Sequence, residues 1–192
     1  MGKVVRGRAG RESKRDEIFE QYSTALAQLL QAQMRTNGAE RILHLGSPGA
    51  TQLGEQLATR LTTGELVICV YTYDELEETR AALAGLGNVH VINDLEDLDE
   101  DEPPFDIVSC IAPYHLGRDT VIAQIELGVA RLANEGIFYL AGDKQRELDR
   151  YTEALSSLAR DVQQLASRGQ YRVVSVNGAN IRRSGRISGR KN

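Results

Sequence analysis

Hydrophobic and polar positions along this chain fall into alternating strand-like and helix-like blocks. Over residues 16–36 (DEIFEQYSTALAQLLQAQMRT), Ile18, Tyr22, Ala25, Leu29 and Gln33 recur at helical spacing, and Asn37-Gly38 closes the segment. RILHL at 41–45 is a short apolar strand, followed by a glycine-rich turn and a helix reaching to about Arg60. ELVICVYTY at 65–73 is a second strand, and DELEETRAALAGL is a helix with an acidic start that stops at Gly85 or Gly87. NVHVIND forms a third strand ending at Asp94, and the acidic run LEDLDEDEPP reads as a surface loop. FDIVSCIA is a fourth strand, PYHLGRD a turn, and TVIAQIELGVARL a helix with Val121, Ile122, Ile125, Val129 and Leu132 at its apolar positions. EGIFYLAG is a fifth strand, and DKQRELDRYTEALSSLARDV begins as another helix.

Strands alternating with helices predict a doubly wound α/β fold, a parallel sheet with helices on both faces. The unbroken apolar runs VICV and IVSCIA fit strands buried on both sides. The ending differs. VQQLASRGQYRVVSV reads as a hairpin turning at Ser167-Arg168-Gly169-Gln170, which places an antiparallel strand near one edge; residues 160–166 fit a continued helix equally well.

Composition changes this picture little. A chain of 192 residues with 41% hydrophobic and 26% charged content fits one domain with a sizeable core. No apolar run approaches the roughly 18 residues of a membrane span. The basic N-terminus has no apolar segment behind it, so it is no secretory signal, and Glu12 and Asp16 argue against a transit peptide. Cys69 and Cys110 lie in apolar strands, which predicts buried free thiols and a cytoplasmic protein.

Charge changes it more. The net charge is −4, yet Lys3, Arg6, Arg8, Arg11, Lys14 and Arg15 crowd the start, and Arg168, Arg172, Arg182, Arg183, Arg186, Arg190 and Lys191 the end. The acidic excess therefore lies between them. Residues 1–15 and 177–192 read as basic arms flanking a domain at 16–176, able to neutralise RNA phosphates or to lie on the acidic body. Neither arm interleaves aromatic residues for stacking on bases.

The leading site candidate is the turn Gly46-Ser47-Pro48-Gly49-Ala50, because ligands of open α/β sheets bind beyond the carboxyl ends of the strands. Glycines let backbone approach a ligand, and the following helix offers unpaired N–H groups. The turn is neither a dinucleotide fingerprint nor a phosphate-binding loop of the Walker type, and the second strand ends in Tyr71-Thr72-Tyr73 rather than an acid. A plain strand-to-helix turn is the competing reading. His115 is the one histidine placed to act as a general base, and His90 reads as structural. Asp143 and Lys144, closing the fifth strand, line the substrate side or simply meet solvent.

RILHLGSPGA resembles the first motif of class I S-adenosylmethionine-dependent methyltransferases, acid-x-Gly-x-Gly-x-Gly, with His44 at the acid position and Pro48 and Ala50 at glycine positions. Asp94 matches the acid that approaches the adenine amino group in that family. FDIVSCIAPYHLG resembles the fourth-strand motif of the small-domain enzymes that modify ribosomal RNA bases, with Ile111-Ala112-Pro113-Tyr114 in place of Asn-Pro-Pro-Tyr. The resemblance implies a Rossmann-like, mostly parallel seven-stranded sheet with a C-terminal antiparallel hairpin. It implies S-adenosylmethionine held by His44, Gly46, Ser47, Gly49, Tyr71, Asp94 and Ile111, with substrate at Pro113, Tyr114 and His115. The partner it implies is RNA, ribosomal RNA foremost. Tyr71 replaces the ribose-binding carboxylate and Ile111 the asparagine that holds a target amino group. Those departures keep open an inactive relic that only binds RNA or ribosomes.

Overall fold

A computed structural model describes residues 9–46, 48–99 and 101–182, with side chains from residue 19 onward. Helix α1 (Ala9–Gln33) precedes strand β1 (Arg41–Leu45), α2 (Ala50–Ala58) and β2 (Glu65–Cys69). Then come α3 (Tyr73–Leu83), β3 (Val89–Ile92), β4 (Phe105–Ile111) and α4 (Arg118–Ala130). The chain continues through β5 (Leu132–Asp143), α5 (Leu148–Leu158), β6 (Gln163–Arg168) and β7 (Tyr171–Asn177).

The seven strands form one sheet in the order β3-β2-β1-β4-β5-β7-β6. β1 to β5 are parallel, and β7 runs antiparallel between β5 and β6. The order reverses between β1 and β4, so their carboxyl ends border the ligand crevice expected of a doubly wound sheet.

Both faces of the sheet are covered. On one, Leu43, Leu45, Val67, Val108 and Leu140 pack under Val121 and Ile125 of α4 and Tyr151 and Leu155 of α5. On the other, Ile42, Leu66, Ile68, Ile107 and Ile111 meet Leu26 and Leu30 of α1, Leu53 and Leu57 of α2 and Leu76 of α3. Each such aliphatic side chain removed from water contributes about 1.5–3 kcal/mol before entropy is counted. Continuous apolar strands thus find two dry faces, as their composition requires.

The structure moves three details of the sequence reading. Helix α1 starts at Ala9, inside the segment read as a basic arm, because the Arg, Glu and Lys residues that follow Gly10 are good helix formers. Its buried stripe is Tyr22, Leu26, Ala27, Leu30 and Met34, shifted from the expected Ala25 and Leu29. The supposed surface loop after Asp94 holds a 3-10 turn at Leu95–Asp97 and plants Leu95 and Leu98 in the core. Residues 163–168 resolve as strand, since pairing with β7 satisfies backbone that a longer α5 would leave beyond its helix-closing Ala159. Both cysteines are buried and free, and burial pushes each thiol up to about 12. Among the described residues, no helix is long and apolar enough to cross a membrane.

Candidate functional site

Where β1 gives way to α2, Gly46 donates its N–H to the Cys69 carbonyl at 2.9 Å, continuing the β1–β2 pairing one residue past the strand. Its φ of +107° lies where side-chain-bearing residues are strained. A Cβ there would also stand 3.1 Å from the Ile111 carbonyl oxygen and 3.7 Å from the Tyr71 ring. Gly46 therefore lets three strand ends converge. Gly49, at φ +71°, does something else: a Cβ would stand 2.8 Å from Ala27 Cβ and 3.2 Å from the Ser23 carbonyl, so this glycine admits α1 against the turn. Gly49 is also the N-cap of α2 and offers no side-chain cap, and Ser47 lies outside the described residues.

His44 sits beneath this turn at 0% exposure, on the sheet face that carries Ile42. Its Nδ1 shares a 2.9 Å hydrogen bond with Ser109 Oγ across the β1–β4 pair, and among the described residues Nε2 has no partner. Burial drives its pKa down to about 4, against smaller opposing effects of the Pro48 and Ser109 main chains, so the ring is neutral at pH 7. At the acid position of the motif stands a neutral, enclosed imidazole joining two strands.

Tyr71 follows β2 and folds over the strand ends. Its hydroxyl is enclosed without a hydrogen-bond partner among the described residues, and burial raises its pKa well above the ordinary value, with Cys110 and Cys69 adding to the effect. Its N–H donates to Glu75 Oε2 at 3.1 Å, as does that of Thr72, while the Thr72 hydroxyl accepts from Glu75 N–H. This capping box fixes the start of α3 and holds a half-buried carboxylate beside Tyr71. Asp94 is exposed at the end of β3, where one oxygen accepts the Glu96 N–H at 2.9 Å. Ile111, fully buried, brings its main-chain oxygen to Gly46 and its side chain to the core.

On the other side of β4, Pro113 is buried and Tyr114 N–H closes a tight turn onto the Ala112 carbonyl at 3.0 Å. This turn sets Tyr114 half-buried and His115 exposed. The Tyr22 hydroxyl of α1 donates to the same Ala112 carbonyl at 3.3 Å. The Tyr22 and Tyr114 rings meet edge to face at 5.2 Å, and Phe19 meets His115 at 5.5 Å. Burial lowers the His115 pKa, opposed by the Glu75 charge, so His115 too is neutral at pH 7.

Sequence reasoning missed Phe19, Tyr22, Glu75, Tyr171 and Arg146, which the fold brings to this mouth. The only signal was the aromatic pair at i and i+3, Phe19 and Tyr22, midway along α1. Asp143 is buried at 4% exposure, with Oδ1 accepting the Gln145 N–H at 2.8 Å and Oδ2 3.8 Å from Arg146 Nε. Lys144 is exposed, and His90 stands exposed on β3 away from the turn.

No protein-family profile matches the sequence, and no curated protein matches it. Solved structures do. A 16S rRNA methyltransferase from T. thermophilus, solved with AdoMet and guanosine, superposes with a TM-score of 0.64 at 21% identity over 80% of this chain; the chain spans 38% of that protein's length. A methyltransferase from Pyrococcus furiosus gives 0.60 at 19% identity, covering 80% of both chains. A precorrin methyltransferase from Geobacter metallireducens gives 0.62 at 14% identity, over 79% of this chain and 86% of that one. With the strand order and the antiparallel β7, these likenesses establish that the chain has the fold of class I S-adenosylmethionine-dependent methyltransferases.

Proposed function

We propose that this protein is an S-adenosylmethionine-dependent methyltransferase whose substrate is RNA. One observation carries the reading: Gly46 at positive φ and the enclosed Tyr71 hydroxyl, unpartnered among the described residues, meet at the switch point of a methyltransferase sheet. A hydroxyl enclosed without a partner costs about 1–3 kcal/mol, and a ribose or adenine heteroatom would satisfy it. The residues present fit the cofactor on that ground. The Gly46 backbone and the uncapped first turn of α2 suit its amino-acid end, Tyr71 its ribose, and Asp94, with one oxygen still open to a donor, its adenine amino group.

When bound, the cofactor supplies an electrophilic methyl group on a sulfonium. The chain's own residues then orient and deprotonate the substrate. The 112–114 turn presents Tyr114 as an aromatic wall, and neutral His115, exposed at the mouth, accepts the proton released by the nucleophile. Alignment supplies most of the acceleration that such a transfer needs, so a sparse catalytic set suffices. For RNA the support is the exposed cations Lys144 and Arg146 at the mouth, the basic termini, and a similar structure that acts on 16S rRNA.

The second reading is a relic that binds RNA without methylating it. It rests on the absent acids: His44 is a neutral core residue and Tyr71 stands where a carboxylate would grip the ribose. Calorimetric titration with S-adenosylmethionine separates the two. Micromolar binding supports the enzyme; no heat at millimolar ligand, with RNA still bound, supports the relic.

A further inference from the structure

The Tyr114 ring already has a companion. The Arg146 guanidinium lies over it, 4.3 Å from its centroid, near the separation at which flat rings stack. The backbone beneath Arg146 is firm, since its N–H donates to the Asp143 carbonyl at 2.9 Å and the neighbouring Lys144 N–H to Gln170 at 2.9 Å. The side chain itself is loosely held. It is 43% exposed, and its nearest carboxylate oxygen, on Asp143, is 3.8 Å away, beyond hydrogen-bond reach. Arg118, by contrast, is bonded to Glu147 at 2.5 Å. A cleft of about 610 Å³ lies between α1 and the β6–β7 turn; Tyr171, which lines it, packs at 5.9 Å on Tyr22, and Tyr22 meets Tyr114 at 5.2 Å.

We propose that Arg146 is a specificity-determining residue for a phosphorylated ring: it stands on Tyr114 in place of the substrate base, and turns to that nucleotide's phosphate when the base takes the ring face. The inference rests on RNA being the substrate. A ring without phosphate must displace a favourable cation–π contact and brings the guanidinium no new partner beyond Asp143, which it already faces. A nucleotide gives it a bidentate, charge-assisted partner. Lys144, exposed two residues before Arg146, adds positive charge nearby, and the cleft beside Tyr171 has room for the next residue of a strand.

The test uses Arg146→Ala and Arg146→Lys in the full chain, with guanosine and guanosine monophosphate titrated against the NMR signals of the Tyr114 and His115 rings. Affinity for a short single-stranded RNA is measured alongside by anisotropy. In Arg146→Ala, guanosine should bind about two- to fivefold more tightly, the worth of a released cation–π contact at a half-exposed site. Guanosine monophosphate should bind about tenfold more weakly, and Arg146→Lys should recover part of that loss. Effects of opposite sign are the signature; a purely structural Arg146 would weaken both ligands together, and that result overturns the proposal. RNA bound equally by wild type and Arg146→Ala also overturns it while leaving the RNA reading intact. A wild-type protein that binds no RNA at any salt defeats the RNA reading, and this proposal with it.

Discussion

His44 ties the stability of the core to pH in a way that can be calculated. Its ring is 0% exposed and burial holds its pKa at about 4, against 6.5 for the free side chain. Between those values the unfolded chain binds a proton that the folded protein excludes. The contribution of His44 is therefore complete above about pH 6.5 and is lost as the pH falls toward about 4. A separation of about 2.5 units corresponds to on the order of 3 kcal/mol, a large share of a domain's net stability. Replacing His44 by Leu together with Ser109 by Ala removes the titrating ring and also the hydroxyl bonded to it. Urea unfolding of wild type and double variant at about pH 7, 5.5 and 4.5 measures the difference, since every group common to both proteins cancels between them. The gap should move toward the variant by on the order of 1–3 kcal/mol on acidification. Parallel stability profiles would refute the argument.

Further outcomes follow from the geometry. Tyr71→Phe deletes a hydroxyl with no partner among the described residues, so thermal unfolding should be unchanged or slightly raised while calorimetric affinity for S-adenosylmethionine falls about tenfold. Glu75→Ala breaks the α3 capping box at a cost of about 1 kcal/mol in denaturant titration, whereas Glu75→Gln keeps the box. Glu75→Gln should nevertheless lower the His115 pKa followed by NMR, because the charge that raises it is gone. Deleting residues 183–192 removes Arg183, Arg186, Arg190 and Lys191 but spares Ile181, which bridges Ala159, and Arg182, bonded to Leu158. Melting should not change, and the slope of log affinity for RNA against log salt should become shallower by about 0.7 per phosphate no longer neutralised; an unchanged slope would rule this tail out as a phosphate contact.

The central strands were legible because parallel strands buried on both faces must be apolar without interruption, and VICV and IVSCIA are. Strand β6 was ambiguous for the opposite reason: every residue in it is exposed or half-exposed, so no alternation marks it and only pairing with β7 makes it a strand. Helix α1 was legible as a helix but not in phase, since its segment holds apolar residues at 18, 22, 25 and 29 and also at 22, 26, 30 and 34. At the site, the turn, Tyr71, Asp94 and the Pro-Tyr-His run could be read because each follows a strand directly. That Gly49 serves α1 rather than the crevice could not, and neither could the assembly of Phe19, Tyr22, Tyr171 and Arg146 around Tyr114. Those contacts join positions with no local signature, as the Tyr22–Ala112 bond across 90 residues of sequence illustrates.

That bond also imposes an order in time. Helix α1 is synthesised before the strands it packs on, since its buried stripe is completed by Ile111, Tyr139, Ala141 and Val173, all far downstream in the chain. At typical elongation rates the helix waits on the order of ten seconds with Leu26, Leu30 and Met34 facing water. During that interval the nascent protein exposes a sticky helix that chaperones would shield and that a second nascent chain could capture. Slowing translation late in the message should therefore lower the yield of native protein, whereas a circular permutant that opens the chain after Gln33 and emits α1 last should shorten the exposure.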